Sequence, residues 1–481
     1  MNTKETRPPV IAVLGHVDHG KTTLLDTIRK THVAKGEFGG ITQHIGAYEI
    51  VTAEGKKITF IDTPGHEAFK NLRKRGVAMA DIALLVVAAD DSVQPQTIES
   101  IKVIKESNIP YIVVVNKIDV EGVNVERVLK HLNKNEVYLE GHGGDVPFVE
   151  ISAKNATNID ALLELITLLS EVSNFTYSKT APVLGGVIEV KKDRRGTVLT
   201  LILKDGALNV GDTVYVDEEE IKIKAMFNDL GVSVVEVFPS TPVEMLGAKL
   251  MAKPGAVLST VSHLQKEVVA AEKKSTGTVS QADFFGNNDQ KFNFIIKSDV
   301  SGTEEVIKER FSQFKEIDII KSEVGEPNEA DVDLAKTTGA NILVFNVKVR
   351  NGVAKKAEVE GVNIFEYTLI YELLEQAEDL IYSLRSQREK EAKKIGEAKI
   401  LAKFNKENQQ IAGMRIISGR IQLNDKAELT RGKKILGETT IRSLYQKSNS
   451  VSNVKKNEEC GAIFDPKLDF QPGDIVKLYL R

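Results

Sequence analysis

An apolar run, Val10–Leu14, stops at a glycine and is followed by Gly15-His16-Val17-Asp18-His19-Gly20-Lys21-Thr22, which fits the pattern G-x-x-x-x-G-K-[ST]. Thr23 then opens a helix-compatible stretch that runs to Lys30. No other feature restricts the fold as much. Glycines let the backbone turn tightly enough for successive N–H groups to converge on phosphate oxygens, and a helix N-terminus adds partial positive charge. That geometry needs a strand ending where a helix begins. Four further apolar runs, Ile58–Ile61, Ile82–Ala88, Ile112–Val115 and Phe148–Ile151, are separated by longer polar stretches. Strands buried on both faces read as continuous apolar runs of this kind. Residues 1–172 are therefore expected to form an open α/β sheet.

Three more short motifs follow strand ends. Asp62-Thr63-Pro64-Gly65-His66 comes after the run ending at Ile61, Asn116-Lys117-Ile118-Asp119 after Val115, and Ser152-Ala153-Lys154 after Ile151. Lys21 is expected to reach the β- and γ-phosphates, while Asp62 and the Thr22 hydroxyl hold Mg²⁺. Gly65 would offer its N–H to the γ-phosphate where a side chain would block approach. The Asp119 carboxylate can accept from the two adjacent N–H donors of guanine. Adenine would leave that carboxylate facing an acceptor, and a buried polar group without a partner is costly. Ser152, Ala153 and Lys154 suit contact with the guanine carbonyl. Four motifs in order, each at the C-terminal end of a strand, specify a P-loop GTPase domain using GTP or GDP with Mg²⁺.

Beyond Ser173–Thr180 the pattern changes. Residues 181–262 carry short β-rich runs (Val187–Val190, Thr197–Leu203, Thr213–Val216, Pro242–Leu246) divided by turn signals, as in a small β-barrel. Residues 263–290 read as a polar linker, and 291–370 as a second α/β domain with strands at Phe292–Ile296 and Ile342–Val349. Ser301 and Glu304, before a helix, read as a capping box. Residues 371–396 have apolar positions every three to four residues and then become polar all round. This is a long connecting helix, either bridging two bodies in solvent or packed along its whole length.

The final segment, 397–481, reads as a second β-barrel built as a degenerate copy of the first. Gly206…Asp212 parallels Gly419…Asp425, Lys224…Asn228 parallels Arg442…Gln446, and Pro254-Gly255 parallels Pro472-Gly473. Glu244-Met245-Leu246-Gly247 falls near the place of Glu459-Cys460-Gly461.

Cys460 is the single cysteine, which excludes an intrachain disulfide framework and a Cys-based zinc cluster. No apolar run is long enough to span a membrane, and the N-terminus has no signal-peptide core, so a cytoplasmic chain without a membrane partner is expected. The net charge of −4 hides an asymmetry, because from Gly396 onward sixteen Lys and Arg outnumber ten Asp and Glu. A modestly basic end domain is compatible with a nucleic-acid contact there.

The forms GHVDHGKTT and DTPGH resemble the GTPase domain of translational GTPases, and within that group the bacterial initiation factor 2 family. Gly39–Tyr48 is similar to that family's switch I, Ala88–Asp91 and Pro95-Gln96-Thr97 match its pattern, and the order of domains agrees. The resemblance implies that Thr42 closes on Mg²⁺ and γ-phosphate, and that His66 positions the attacking water once the ribosome orders it. It implies an initiator-tRNA-binding site in the last barrel at Glu459, Cys460 and Gly461, with Tyr445 and Lys447 as the aromatic and basic neighbours. Met414 and Asn457 stand where the family carries a cysteine and a glycine. The implied partners are both ribosomal subunits, formylmethionyl initiator tRNA and other initiation factors, engaged by a monomer. An elongation-factor-like, GTP-gated carrier of aminoacyl-tRNA is the alternative.

Overall fold

The computed structural model describes residues 4–29, 42–216, 219–248, 252–261, 291–392, 394–406, 409–432, 434–447 and 449–479. The expected linker at 263–290 and the Gly39–Ile41 part of switch I lie outside them. The chain divides into two compact units, Met1–Leu374 and Glu375–Arg481.

The first unit opens with the expected sheet. Its elements are β1 (Val10–Gly15), α1 (Lys21–Arg29), β2 (Gly46–Val51), β3 (Lys57–Asp62), α2 (Lys70–Ala78), β4 (Ile82–Ala88), α3 (Pro95–Ser107), β5 (Tyr111–Asn116), α4 (Val125–Lys134), β6 (Phe148–Glu150) and α5 (Ile159–Ser173). The six strands lie in the order β2-β3-β1-β4-β5-β6. Only β2 runs antiparallel to its neighbour. β1 and β4 are buried along their whole length because apolar clusters cover both faces of the sheet, one around Leu24, Phe60 and Leu162, the other around Leu85, Val113 and Leu132. β2, half-exposed at the edge, has no continuous apolar run and left no signal in the sequence.

A β-barrel follows, with β7 (Leu184–Asp193), β8 (Gly196–Asp205), β9 (Thr213–Val216), β10 (Glu219–Lys222), β11 (Ala225–Asn228), β12 (Ser233–Val234), β13 (Pro242–Leu246) and β14 (Val257–Ser259). These wrap one core containing Val187, Leu199, Leu201, Met226 and Met245. Asp81 ties the barrel to the sheet. It accepts from Arg7 at 2.5 and 2.7 Å and from Lys204 at 2.7 Å. Burial alone would raise its pKa, but the two cations overcome that and hold it below the usual value.

The second α/β domain comprises β15 (Phe292–Ser298), α6 (Ser301–Ser312), β16 (Ile317–Val324), α7 (Glu329–Thr338), β17 (Asn341–Phe345), α8 (Asn351–Glu360) and β18 (Ile364–Tyr367), a parallel sheet ordered β16-β15-β17-β18. The expected capping box does not form. Val300 is the N-cap residue of α6, and Glu304 is turned to Ser322. The cap comes instead from the barrel: Glu189 accepts from Ser301 Oγ at 2.9 Å and from the Gly302 N–H at 3.1 Å. A carboxylate at a helix N-terminus is favourable, and this one joins two domains.

The long helix α9 spans Ile370–Ala392, and its first turn belongs to the first unit. It was expected to run to residue 396, but Lys394 already opens a strand. Gly396 pairs with Gly419, and a Cβ on it would meet the Arg420 carbonyl oxygen at 2.4 Å. That glycine is a point of close strand approach. Whether the polar part of α9 is exposed rests on side chains from 383 onward, which lie outside the described residues.

The second unit is a closed barrel. β19 (Lys394–Lys406), β20 (Gln409–Gln422), β21 (Lys426–Arg431), β22 (Lys434–Gln446), β23 (Glu459–Asp465) and β24 (Ile475–Tyr479) pair in the ring β19-β24-β21-β22-β23-β20-β19. It repeats the first barrel bond for bond at its turns. Asp212 accepts from the Asn209 N–H at 2.8 Å, and Asp425 from the Gln422 N–H at 2.6 Å. The Gly255 N–H donates to the Val187 carbonyl at 2.7 Å, and that of Gly473 to Ile400 at 2.8 Å.

Candidate functional site

β1 delivers the phosphate-type loop. Gly15 has φ +144°, and a Cβ there would stand 2.3 Å from the Val86 carbonyl oxygen. The loop then makes one short helical turn at Val17–His19 before α1 begins at Lys21. His16 Nδ1 and the Val17 N–H meet Gln96 Oε1 at 2.5 and 3.2 Å, while Asp18 and Thr23 are exposed. His19 is buried, its Nδ1 is 3.1 Å from the Val86 carbonyl, and burial drops its pKa to about 4, so it is neutral at pH 7. Lys21 donates to the Gly15 and His16 carbonyls at 2.9 and 2.6 Å. Burial lowers its pKa to about 8, with Asp62 opposing. A Cβ on Gly65 would lie 2.6 Å from Lys21 Nζ and 2.9 Å from the Val17 nitrogen. The cradle therefore requires glycine on both sides.

Beside Lys21, three oxygens converge. Thr22 Oγ1 is 2.9 Å from Thr42 Oγ1, which donates to Asp62 Oδ2 at 3.2 Å. Hydroxyls and a carboxylate are the donors a hard divalent cation prefers, so these residues fit Mg²⁺ as the glycine cradle fits phosphate.

The base-recognition motifs are joined by hydrogen bonds. Asn116 donates to the His19 carbonyl at 2.9 Å and accepts from the Ala153 N–H at 3.0 Å, bridging the phosphate loop to the loop after β6. Ser152 Oγ donates to Asp119 Oδ1 at 2.6 Å, and that bond holds the Asp119 carboxyl below its usual pKa. Lys117 has φ +64° and reaches Asp90 at 3.0 Å, while Lys154 is exposed beside Asp119.

His66 caps a short turn, its Nδ1 accepting from the Ala68 N–H at 3.0 Å. Burial, then the nearby Arg73, lowers its pKa, so the ring is neutral. Sequence reasoning missed Arg73. This fully buried guanidinium donates to the carbonyls of Pro64 (3.1 Å), Gly65 (3.0 Å) and His66, and pairs with Glu99 at 2.5 Å. It fixes the backbone that presents Gly65 and His66. An arginine on the helix after D-T-P-G-H was the available signal.

In the last barrel the five expected residues divide. Gly461 lies opposite Tyr445 on β22 and opposite Gly413 on β20. Glu459 pairs with Arg415 at 2.5 Å, and Lys447 is an exposed turn residue with φ +47°. Cys460 points the other way, into the core with Met414, Ala462 and Phe464. Residues alternate sides along a strand, so Glu459 and Gly461, not Cys460, lie on the outward face. Burial pushes its thiol pKa up to about 11. Missed by the sequence reading were Gly413 and Phe404, whose ring, 56% exposed, lies 2.8 Å from where a Gly413 Cβ would be.

Pairing also corrects the alignment of the two barrels. Glu244 faces Phe227 as Gly461 faces Tyr445. Glu244 therefore corresponds to Gly461, two residues beyond Glu459, and Val243 to Cys460. Sequence similarity alone could not fix a register that the strand partners define.

Three protein families match along the chain: "Elongation factor Tu GTP binding domain" at 6–171, "Elongation factor G domain 2" at 182–261 and "Translation-initiation factor 2" at 265–378. Translation initiation factor IF-2 of Halothermothrix orenii is 39% identical over 495 residues, covering 99% of this chain and 72% of that protein. That of Streptococcus gordonii is 39% identical over 496 residues, covering 99% and 52%, and the chloroplastic factor of Rhodomonas salina 37% over 494, covering 99% and 66%. The chain thus spans about half to two thirds of the length of most curated relatives it matches. Among solved structures, GDP-bound aIF5B from Aeropyrum pernix superposes with a TM-score of 0.50 at 25% identity, covering 99% of this chain and 92% of that one.

Proposed function

The chain belongs to the translation initiation factor IF-2 family, and on that premise we propose that it is a GTP-hydrolysing switch of translation initiation. In this reading its GTP form engages formylmethionyl initiator tRNA on the small ribosomal subunit and promotes subunit joining, and ribosome-stimulated hydrolysis releases it. The observation that carries the proposal is the convergence of Thr22, Thr42 and Asp62 beside the buried Lys21 and the glycine cradle. Mg²⁺ bound by these oxygens would neutralise charge on the β- and γ-phosphates.

The chain's own groups do the rest. Lys21 leaves the loop carbonyls for phosphate oxygens, Asp119 and Asn116 hold guanine and its loop, and Arg73 fixes the backbone of Gly65. His66 orients the attacking water when docking reorders its segment. Positioning and electrostatics dominate phosphoryl transfer, so a histidine idle until docked makes hydrolysis conditional.

The test is the GTP hydrolysis rate with small subunits, large subunits and both. Strong stimulation only with both supports the proposal, and the same rate in all three mixtures overturns it. His66→Ala is expected to bind GTP normally and lose the stimulated turnover. The elongator-carrier reading is separated by filter-binding competition, in which formylmethionyl initiator tRNA should displace elongator aminoacyl-tRNAs.

A further inference from the structure

The first turn of α9 touches both the switch I segment and the turn capped by His66. The Tyr371 and His66 rings meet edge to face, with centroids 4.2 Å apart and planes 80° apart. From the other side, Gln43 grips the backbone that leads into the helix. Its Nε2 donates to the Thr368 carbonyl at 2.9 Å, and its Oε1 accepts from the Ile370 N–H at 3.0 Å. Gln43 stands between Thr42, which meets Asp62, and His44, which meets Asp299 at 2.7 Å. Three consecutive residues thus reach the nucleotide site, the root of α9 and the second α/β domain.

We propose that Tyr371 is a positioning residue for His66, holding the imidazole in its capping pose, and that Gln43 ties release of this hold to switch I. With Nδ1 accepting from Ala68, the neutral ring carries its proton on Nε2 and has no free lone pair for a water proton. To accept a proton from water the ring must leave this pose, and Tyr371, with its centroid at 4.2 Å against 6.2 Å for Phe69, is the aromatic ring packed most closely against it. Displacing the first turn of α9 removes the ring contact and pulls on the Gln43 amide together. The hold therefore responds to force on the helix and to rearrangement of switch I.

This rests on the role given to His66 above, so the test separates the two. In the full chain, Tyr371→Ala is expected to raise ribosome-independent kcat by about two- to tenfold, the range of an aromatic pair interaction, with KM for GTP unchanged. Tyr371→Phe, which keeps the ring, restores the hold, and Tyr371→Ala added to His66→Ala gives no increase. In the nucleotide-free, histidine-labelled chain, the His66 ring resonances, assigned by their loss in His66→Ala, move in Tyr371→Ala and return in Tyr371→Phe. An unchanged kcat in Tyr371→Ala, or an equal rise in the His66→Ala background, overturns the proposal while leaving the function intact. Retention of stimulated turnover by His66→Ala would overturn both.

Discussion

The two barrels share one plan and differ in one outward-facing row. In the first, the row running across β8, β13 and β11 is Thr200, Glu244 and Phe227. Arg195 donates to Glu244 at 2.9 Å and sits 5.1 Å over the Phe227 ring, and Lys191 adds a second ion pair. The same row in the last barrel is Gly413, Gly461 and Tyr445. Two side chains are gone, and Phe404 packs against Gly413 and Ile411 against Gly461 in their place, beside Tyr445. A row closed by its own ion pairs has become one lined by aromatic groups over a glycine floor. The core behind it hardly changes, with Val243 and Leu201 in one barrel and Cys460 and Met414 in the other. The lesson is that the outward side of these strands was rebuilt while the core side kept its apolar packing.

The strongest test of that division concerns Cys460. With its pKa pushed up to about 11, the thiolate fraction is about a hundredfold below that of a thiol titrating near 9. Alkylation of the native chain at pH 8 is expected to be slower than that of the unfolded chain by at least this factor. It should accelerate as pH rises towards 11, because only the thiolate reacts. Fast alkylation of the folded chain would put Cys460 on the surface and break the alternation on which the comparison depends.

Refilling the glycine row gives the next largest effect. A Cβ at Gly461 would lie 3.0 Å from the Ile411 Cγ2 methyl, which must give by a few tenths of an ångström, and the backbone there needs no positive φ, so Gly461→Glu is expected to fold. It would recreate the glutamate of the first barrel over the proposed tRNA surface. Affinity for formylmethionyl initiator tRNA should fall about thirtyfold, the cost of removing one anchor from the centre of an interface, with GTP affinity unchanged. The reciprocal Glu244→Gly removes half-exposed ion pairs worth about 1 kcal/mol or less and should leave tRNA affinity alone. Equal tRNA affinity in Gly461→Glu and parent would show that this row is not the binding surface.

These distinctions mark what the sequence could and could not reveal. The nucleotide motifs were legible because each sits at a strand end, where a short run of consecutive residues forms one loop, so patterns such as Gly15–Thr22 keep their meaning. Arg73 was not legible, because its role depends on three carbonyls brought back to it by the fold. Ser301 and Glu304 formed a plausible local cap, but a tertiary partner, Glu189, replaced it. Gly396 was included at the end of the expected helix because a single glycine reads alike in a fading helix and in a crowded strand. In the last barrel the repeat was visible through its turn residues, Asp425 and Gly473, whereas the strand register was not, since cross-strand partners leave no mark in a linear pattern.

Register also yields the smallest and most discriminating prediction. Phe227 and Tyr445 hold equivalent positions, but Phe227 is covered by Arg195, whereas Tyr445 is half-buried opposite a glycine. If the open row receives the acylated end of the tRNA, Tyr445→Ala should weaken initiator-tRNA binding about fivefold, the lower end of an aromatic–base stacking interaction. Tyr445→Phe should keep most of the affinity, because stacking needs the ring and not the hydroxyl. Phe227→Ala should change tRNA binding by less than twofold, since that ring already has a protein partner. Filter binding of the three variants reads the difference directly. Equal losses from Phe227→Ala and Tyr445→Ala would mean that both barrels bind, and that the two glycines are not what separates them.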